Sequence, residues 1–218
     1  MIKAYIFDFL GVIITYAWED EEAVYTAKLI LEEMGFDKEW LSKRNTYNEL
    51  LNEAVKDALV GRIDLPAHEV KGAINEVYDC FDLRAIDKSS LKENVKDTLI
   101  NLREKGILGV YTTLGRKGFK RSIDKFELHN LFEVVVTRDD VTITKPYEEG
   151  LRLALYCLNI SPQEMIFIGD HARDLSCSIA VGGKTAFFAS GEQELQDLLA
   201  ELEPDYILNS LSDILQIR

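Results

Sequence analysis

At 218 residues the chain has room for one large domain, or for a core with a smaller lobe. Its 47% hydrophobic content is enough for a real core, and an excess of 38 acidic over 25 basic side chains, net charge −13, speaks against a nucleic-acid partner and an anionic membrane surface. Three scattered cysteines, Cys80, Cys157 and Cys177, with no CxxC, signal neither a disulfide framework nor a zinc site, so a reducing cytoplasm is the expected compartment.

Lys3 and the apolar residues up to Trp18 loosely have the form of a signal peptide. Asp8 interrupts the stretch, no small-x-small site precedes the acidic run Glu19 to Glu22, and the stretch is too short to span a bilayer. The expectation is a soluble intracellular protein.

Residues 3–8 and 12–14 read as strands. Residues 19–34 place Ala23, Ala27, Ile30, Leu31 and Met34 at helical spacing before Gly35. Residues 38–60 continue as a helix to Gly61, and Pro66 opens a third helix to about Phe81. Residues 16–87 are therefore expected to be an all-helical cap domain. Ser90 and Glu93 form a capping-box pair before a helix carrying Val95, Leu99 and Leu102. Strands are then expected at 107–111, 134–136, 165–168, 185–188 and, weakly, 206–208, alternating with helices. That alternation predicts an α/β fold: a Rossmann-like parallel sheet flanked by helices, built from residues 1–15 and 88–218.

In an open parallel sheet, ligands bind at the carboxyl ends of the strands, and there the chain puts its chemistry. The first strand ends at Asp8, and the next at Thr112 and Thr113. A later loop presents Lys145 before Pro146, and the strand after it ends in Gly169-Asp170-His171-Ala172-Arg173-Asp174. A carboxylate can attack phosphorus. Mg²⁺ takes hard oxygen ligands, and a hydroxyl and an ammonium can hold the remaining phosphate oxygens. Singly, each residue has a plainer reading: Asp8 as a turn residue before Gly11, Asp170 and Asp174 as a helix cap and a first-turn acid, the threonines as a strand end, Lys145 as a solvated lysine. The ordered set outweighs those readings.

That set resembles the haloacid dehalogenase-like superfamily, its phosphatase branch more than its dehalogenase branch, over essentially the whole chain. The resemblance implies Asp8 as nucleophile and Mg²⁺ ligand, with the Leu10 backbone carbonyl and Asp170 completing the metal site. It implies Thr112 Oγ and the Thr113 N–H as phosphate ligands, and Lys145 as the group that neutralises Asp8 and phosphate. Asp174 would hold metal-bound water or orient Lys145. Of the basic residues Arg116, Lys117, Lys120 and Arg121, Arg116 stands nearest Thr113 and is in reach of a phosphorylated substrate; the group otherwise reads as a solvated helix face. The implied activity is hydrolysis of a small phosphorylated metabolite, with no nucleic acid and no membrane as partner. No feature bears on oligomeric state.

Leu10 departs from the pattern. Phosphatases of the superfamily carry there a second aspartate that protonates the leaving alcohol, a service typically worth ~10²–10⁴ in rate. Three outcomes follow: leaving groups that need no acid, another donor such as His171 or a cap residue, or a phosphate- and Mg²⁺-binding protein without turnover. Dehalogenases and phosphonatases also lack the second aspartate. However, dehalogenases lack the Gly169-Asp170 element, and none of the cap lysines Lys28, Lys38, Lys43 and Lys56 stands out as a Schiff base. Both rank below a weakened or specialised phosphatase.

Overall fold

The computed structural model describes residues 1–15, 17–189, 191, 196, 198–200 and 202–217. Strand β1 (Ala4–Phe7) is a continuous apolar run buried along its whole length, the signature of a strand covered on both faces. It sits inside a parallel sheet with β2 (Ile107–Tyr111), β3 (Val134–Val136), β4 (Met165–Gly169), β5 (Lys184–Phe188) and β6 (Tyr206–Leu208), in the order β3-β2-β1-β4-β5-β6. The chain leaves β1 to one side for β2 and β3, then returns to its other side for β4. The border between β1 and β4 is thus the point where connections diverge and a crevice opens. Register fixes what meets there: Phe7 pairs with Val110 on one side and Ile168 on the other, so Asp8, Thr112 and Asp170 leave the sheet at nearly one level.

Between β1 and β2 run α1 (Asp20–Glu33), α2 (Lys38–Ser42), α3 (Tyr47–Leu59) and α4 (Ala67–Lys88). Their apolar faces, including Ala27, Leu31, Leu50, Leu51, Val55 and Ile74, pack into a cluster separate from those on the sheet. Each fully buried Leu, Ile or Val there contributes about 1.5–3 kcal/mol. After the insertion come α5 (Val95–Arg103), α6 (Arg116–Phe126), α7 (Glu149–Leu158) and α8 (Ala172–Val181). Among the described residues no helix is long and apolar enough to cross a membrane. Tyr16, where the helical segment is expected to begin, lies outside the described residues.

Several local expectations are corrected. Residues 12–14 form a turn ending in an isolated bridge at Ile14, because Gly11 N–H closes on the Ile14 carbonyl at 2.8 Å. The helix expected over 38–60 is two helices: Thr46 and Glu49 form a capping box that starts α3 afresh. The helix opened by Pro66 does not stop near Phe81 but runs on to Lys88, because Phe81, Ala85 and Ile86 continue its buried face. Ser90 and Glu93 do not cap α5. Its N-cap is Asn94, in the left-handed region at φ 58, while the Ser90 N–H goes to Thr15 Oγ1 at 3.0 Å. Thr15 also donates its N–H to the Ser90 carbonyl at 2.8 Å, so the two chain crossings between sheet and insertion lie side by side.

Candidate active site

Lys145 is the centre of the site. Its Nζ lies 2.8 Å from Asp8 Oδ1 and 2.8 Å from Asp174 Oδ1, with its own side chain fully buried. Burial alone would pull the ammonium's pKa down, but the charges of Asp174 and Asp8 outweigh it and push the pKa up. Asp174 is the mirror case: burial opposes its charge, yet Lys145 holds its carboxyl below the usual range. Its second oxygen accepts from His171 N–H at 3.1 Å and so caps the start of α8. Asp8 accepts from the Phe9 N–H at 2.7 Å. Burial raises its pKa, Lys145 lowers it, and the charges of Asp174 and Asp170 raise it again, leaving it at about 6. Three segments remote in sequence thus share one buried charge cluster.

Asp170 joins from the end of β4. Its carboxylate leans over Gly11, whose φ is +83 and where a Cβ would stand 1.8 Å from Asp170 Oδ2. Only glycine leaves room for that approach. Asp170 Oδ1 is buried and takes no hydrogen bond from a neutral neighbour; His171 Nδ1, 3.0 Å away, pairs with it when the imidazole is protonated, and that carboxylate pushes the His171 pKa up. Asp170, His171 and Asp174 can bring three ligand atoms within 4.8 Å of one another. A buried carboxylate oxygen with no neutral donor, beside further carboxylates, belongs to a donor set that fits a hard divalent cation.

Thr112 is buried, and its Oγ1 accepts the Leu114 N–H at 3.2 Å. Thr113 faces a cavity of about 470 Å³ that is also lined by Leu10, Trp18, Tyr47, His171 and Arg173. Asp8, 2% exposed, is outside that lining; Leu10, two positions on, is the lining residue nearest to it in the chain. Arg116 is not brought to this place. Its side chain is 69% exposed and paired with Asp140, and its backbone N–H goes to Asp139. Lys117 and Arg121, expected on a solvated face, pair with Asp79 and Asp87 of α4.

Three residues of the site, Asn52, Arg138 and Asp82, carried no expectation. Asn52 of α3 is 3% exposed and grips the lysine loop: its Oδ1 accepts the Thr144 N–H at 2.8 Å, and its Nδ2 donates to the Thr144 and Lys145 carbonyls at 3.2 and 3.1 Å. Arg138, fully buried, pairs with Asp79 and, at 2.5 Å, with Asp82 of α4, and donates to the Thr113 carbonyl at 3.1 Å. Asp82 also accepts from Trp18 Nε1 and the Gly115 N–H, each at 2.9 Å. Tyr47 Oη donates to the same Thr113 carbonyl at 2.9 Å. The insertion therefore holds both the threonine loop and the lysine loop. One signal was available: Asn52 precedes Val55 by three on the buried stripe of α3, and Asp82 lies between Tyr78 and Ile86 on that of α4.

Residues 5–188 match the family described as haloacid dehalogenase-like hydrolase. Over 129 residues the chain is 37% identical to the pyrophosphatase PpaX of Anoxybacillus flavithermus, a match that takes in 57% of this chain and 58% of the relative's length. In fold it is similar to a hydrolase of the same superfamily, subfamily IA variant 1, from Geobacter sulfurreducens, with a TM-score of 0.61, 23% identity and 99% of each chain covered. It is equally similar to CbbY of Rhodobacter sphaeroides, solved in complex with phosphate, with a TM-score of 0.61, 21% identity and 98% and 96% of the two chains covered.

Proposed function

The chain belongs to the haloacid dehalogenase-like hydrolase family, and from that premise we propose that it is a Mg²⁺-dependent phosphatase of a small phosphorylated metabolite. The observation that carries this reading is the fully buried Lys145 ammonium bridging Asp8 and Asp174 at 2.8 Å each. A buried lysine between two carboxylates keeps Asp8 positioned and ionisable while shielding an incoming anion from its charge. Asp8 attacks phosphorus to form an aspartyl phosphate, which water then cleaves. Thr112 and the Thr113 N–H hold phosphoryl oxygens, and Asp174 orients Lys145. Asp8, Asp170 and the Leu10 carbonyl would hold the Mg²⁺, which supplies charge neutralisation of the phosphoryl group. The helical segment acts as a cap that excludes water and selects substrate. The relatives named pyrophosphatase and the phosphate complex of CbbY lend support.

Leu10 on the cavity wall favours a second reading, a phosphate- and Mg²⁺-binding protein without turnover. One assay separates the two. Phosphate release from p-nitrophenyl phosphate and a metabolite panel is measured with Mg²⁺ and with chelator, for wild type and Asp8→Asn. Magnesium-dependent release lost in Asp8→Asn is expected. Release that ignores chelator or survives Asp8→Asn rejects the phosphatase; tight phosphate binding with no release favours the second reading.

A further inference from the structure

On the phosphoryl-transfer reading above, in which the Thr112 hydroxyl holds a phosphoryl oxygen, we infer that Tyr47 of the insertion is a positioning residue. A relay of hydrogen bonds runs from its hydroxyl, through the Thr113–Leu114 peptide unit, to the Thr112 hydroxyl.

The relay starts on the cavity wall. Tyr47 is the first residue of α3 and lines the cavity. Its ring is held against Trp18, edge to face with centroids 5.3 Å apart, and against Tyr78 at 4.3 Å. Its Oη donates to the Thr113 carbonyl at 2.9 Å. Burial pushes the phenol's pKa up, so the donated proton stays in place. Arg138 Nη1 donates to the same carbonyl at 3.1 Å. Two donors, one of them cationic, therefore polarise a single peptide unit.

The N–H of that unit belongs to Leu114, and it donates to Thr112 Oγ1 at 3.2 Å. Drawing electron density onto the carbonyl makes this N–H the stronger donor. Each bond in such a chain strengthens the next by about 10–30%. With a lone pair of Oγ1 engaged, the hydroxyl proton must point away from Leu114. Among the described residues no acceptor takes it, and a phosphoryl oxygen would.

The peptide plane cannot swing to escape the relay. Thr112 N–H is fixed on the Val136 carbonyl at 3.0 Å, Arg138 N–H on the Leu114 carbonyl at 3.2 Å, and Gly115 N–H on Asp82 at 2.9 Å. These anchors and Arg138, fully buried between Asp79 and Asp82, are permanent parts of the loop. Tyr47 is the variable part, because it comes from α3 and stands where a leaving group can press on its ring. The relay is complete only with α3 seated over the sheet rim. Phosphate is thus held best when the insertion is in place.

The test uses the full chain with Mg²⁺ as wild type, Tyr47→Phe, Thr112→Val and the double variant. Three quantities are measured: kcat and KM on p-nitrophenyl phosphate, the affinity for inorganic phosphate by calorimetry, and the NMR shift of the Leu114 amide proton. Tyr47→Phe keeps the ring and leaves Arg138 on the Thr113 carbonyl, so its Tm should stay near that of wild type. Its kcat and its phosphate affinity are each expected to fall about two- to tenfold, the size of one hydrogen bond, and the Leu114 amide proton to move upfield. In the Thr112→Val background the same change should cost less than about twofold, because the relay has lost its end. An unmoved Leu114 resonance with unchanged phosphate affinity in Tyr47→Phe would overturn the inference, as would equal losses with and without the Thr112 hydroxyl. A rise confined to KM for the ester would do so too, since inorganic phosphate has no leaving group and a direct contact would spare it. No turnover of any ester removes the phosphatase reading alone, and the phosphate affinities and the amide shift then still decide the relay.

Discussion

Asn52 holds Lys145 from across the molecule: its Nδ2 donates to the Lys145 carbonyl at 3.1 Å, and 93 positions of chain separate the two. The grip includes the Thr144 N–H and carbonyl, all buried. Replacing Asn52 by Leu leaves these groups unpaired, at a cost of about 1–3 kcal/mol each. A shift of Lys145 by about 1 Å is worth on the order of 10² in rate. Asn52→Leu is therefore expected to lower kcat by at least tenfold while KM moves little. A change confined to stability, with kcat intact, would assign Asn52 a purely structural role.

The charge cluster sets a pH dependence. The native pKa of Asp8, about 6, lies above its ordinary 3.8, so between those values the folded protein keeps a proton that the unfolded chain has released. Its contribution to stability is complete below pH 3.8 and is lost as pH rises through 6, by roughly 3 kcal/mol at about 1.4 kcal/mol per pH unit. Asparagine mimics the protonated acid. Metal-free Asp8→Asn should match wild type near pH 4 and be the more stable protein at pH 7, a comparison that urea denaturation at the two pH values makes directly.

Arg138 is a buried cation whose partners, Asp79 and Asp82, lie on the insertion. Removing one side of such a pair typically costs about 3–5 kcal/mol, because the remaining charges stay buried without compensation. Arg138→Met is expected to destabilise by that order. Adding Asp82→Asn to it should return part of the loss. Equal stabilities for the single and double variants would mean that Asp82 finds other compensation.

Metal binding can be read without turnover. A ligand at about 100 times its Kd adds about 2.7 kcal/mol to stability, which for a chain of this size raises Tm by roughly 5–10 °C. Wild type should show such a rise with Mg²⁺, and Asp170→Asn should not. Gly11→Ala should also lose it, because the new methyl group would occupy the place of the Asp170 carboxylate. A full Mg²⁺ shift in both variants would move the metal elsewhere.

The sheet was legible because each strand is a short apolar run between helical patterns, and its parallel direction follows from that alternation. That Asp8, Lys145 and Asp174 would meet was legible from two strand ends and the loop before Pro146, whereas the roles given to them, to Thr112 and to Asp170 rest on the family resemblance. Arg116 was not resolved in the same way: nearness to Thr113 in sequence said nothing of Asp139 and Asp140, which draw it away from the cavity. Asn52, Asp82 and Arg138 were missed because their partners come from other parts of the chain. A polar residue on a buried stripe announces that it has a partner without saying which. The break between α2 and α3 was written locally, in the capping box at Thr46 and Glu49, and hidden by the apolar spacing on both sides.

The Arg138 clamp and the Asn52 grip have a consequence for how this protein can change. The insertion carries most of the cavity wall, yet the same helices hold the Thr113 and Lys145 loops in place. Transplanting that segment from a relative would bring new specificity and, with it, mismatched supports beneath the reacting groups. Divergence toward a new substrate must then proceed by paired replacements on the two sides of the junction.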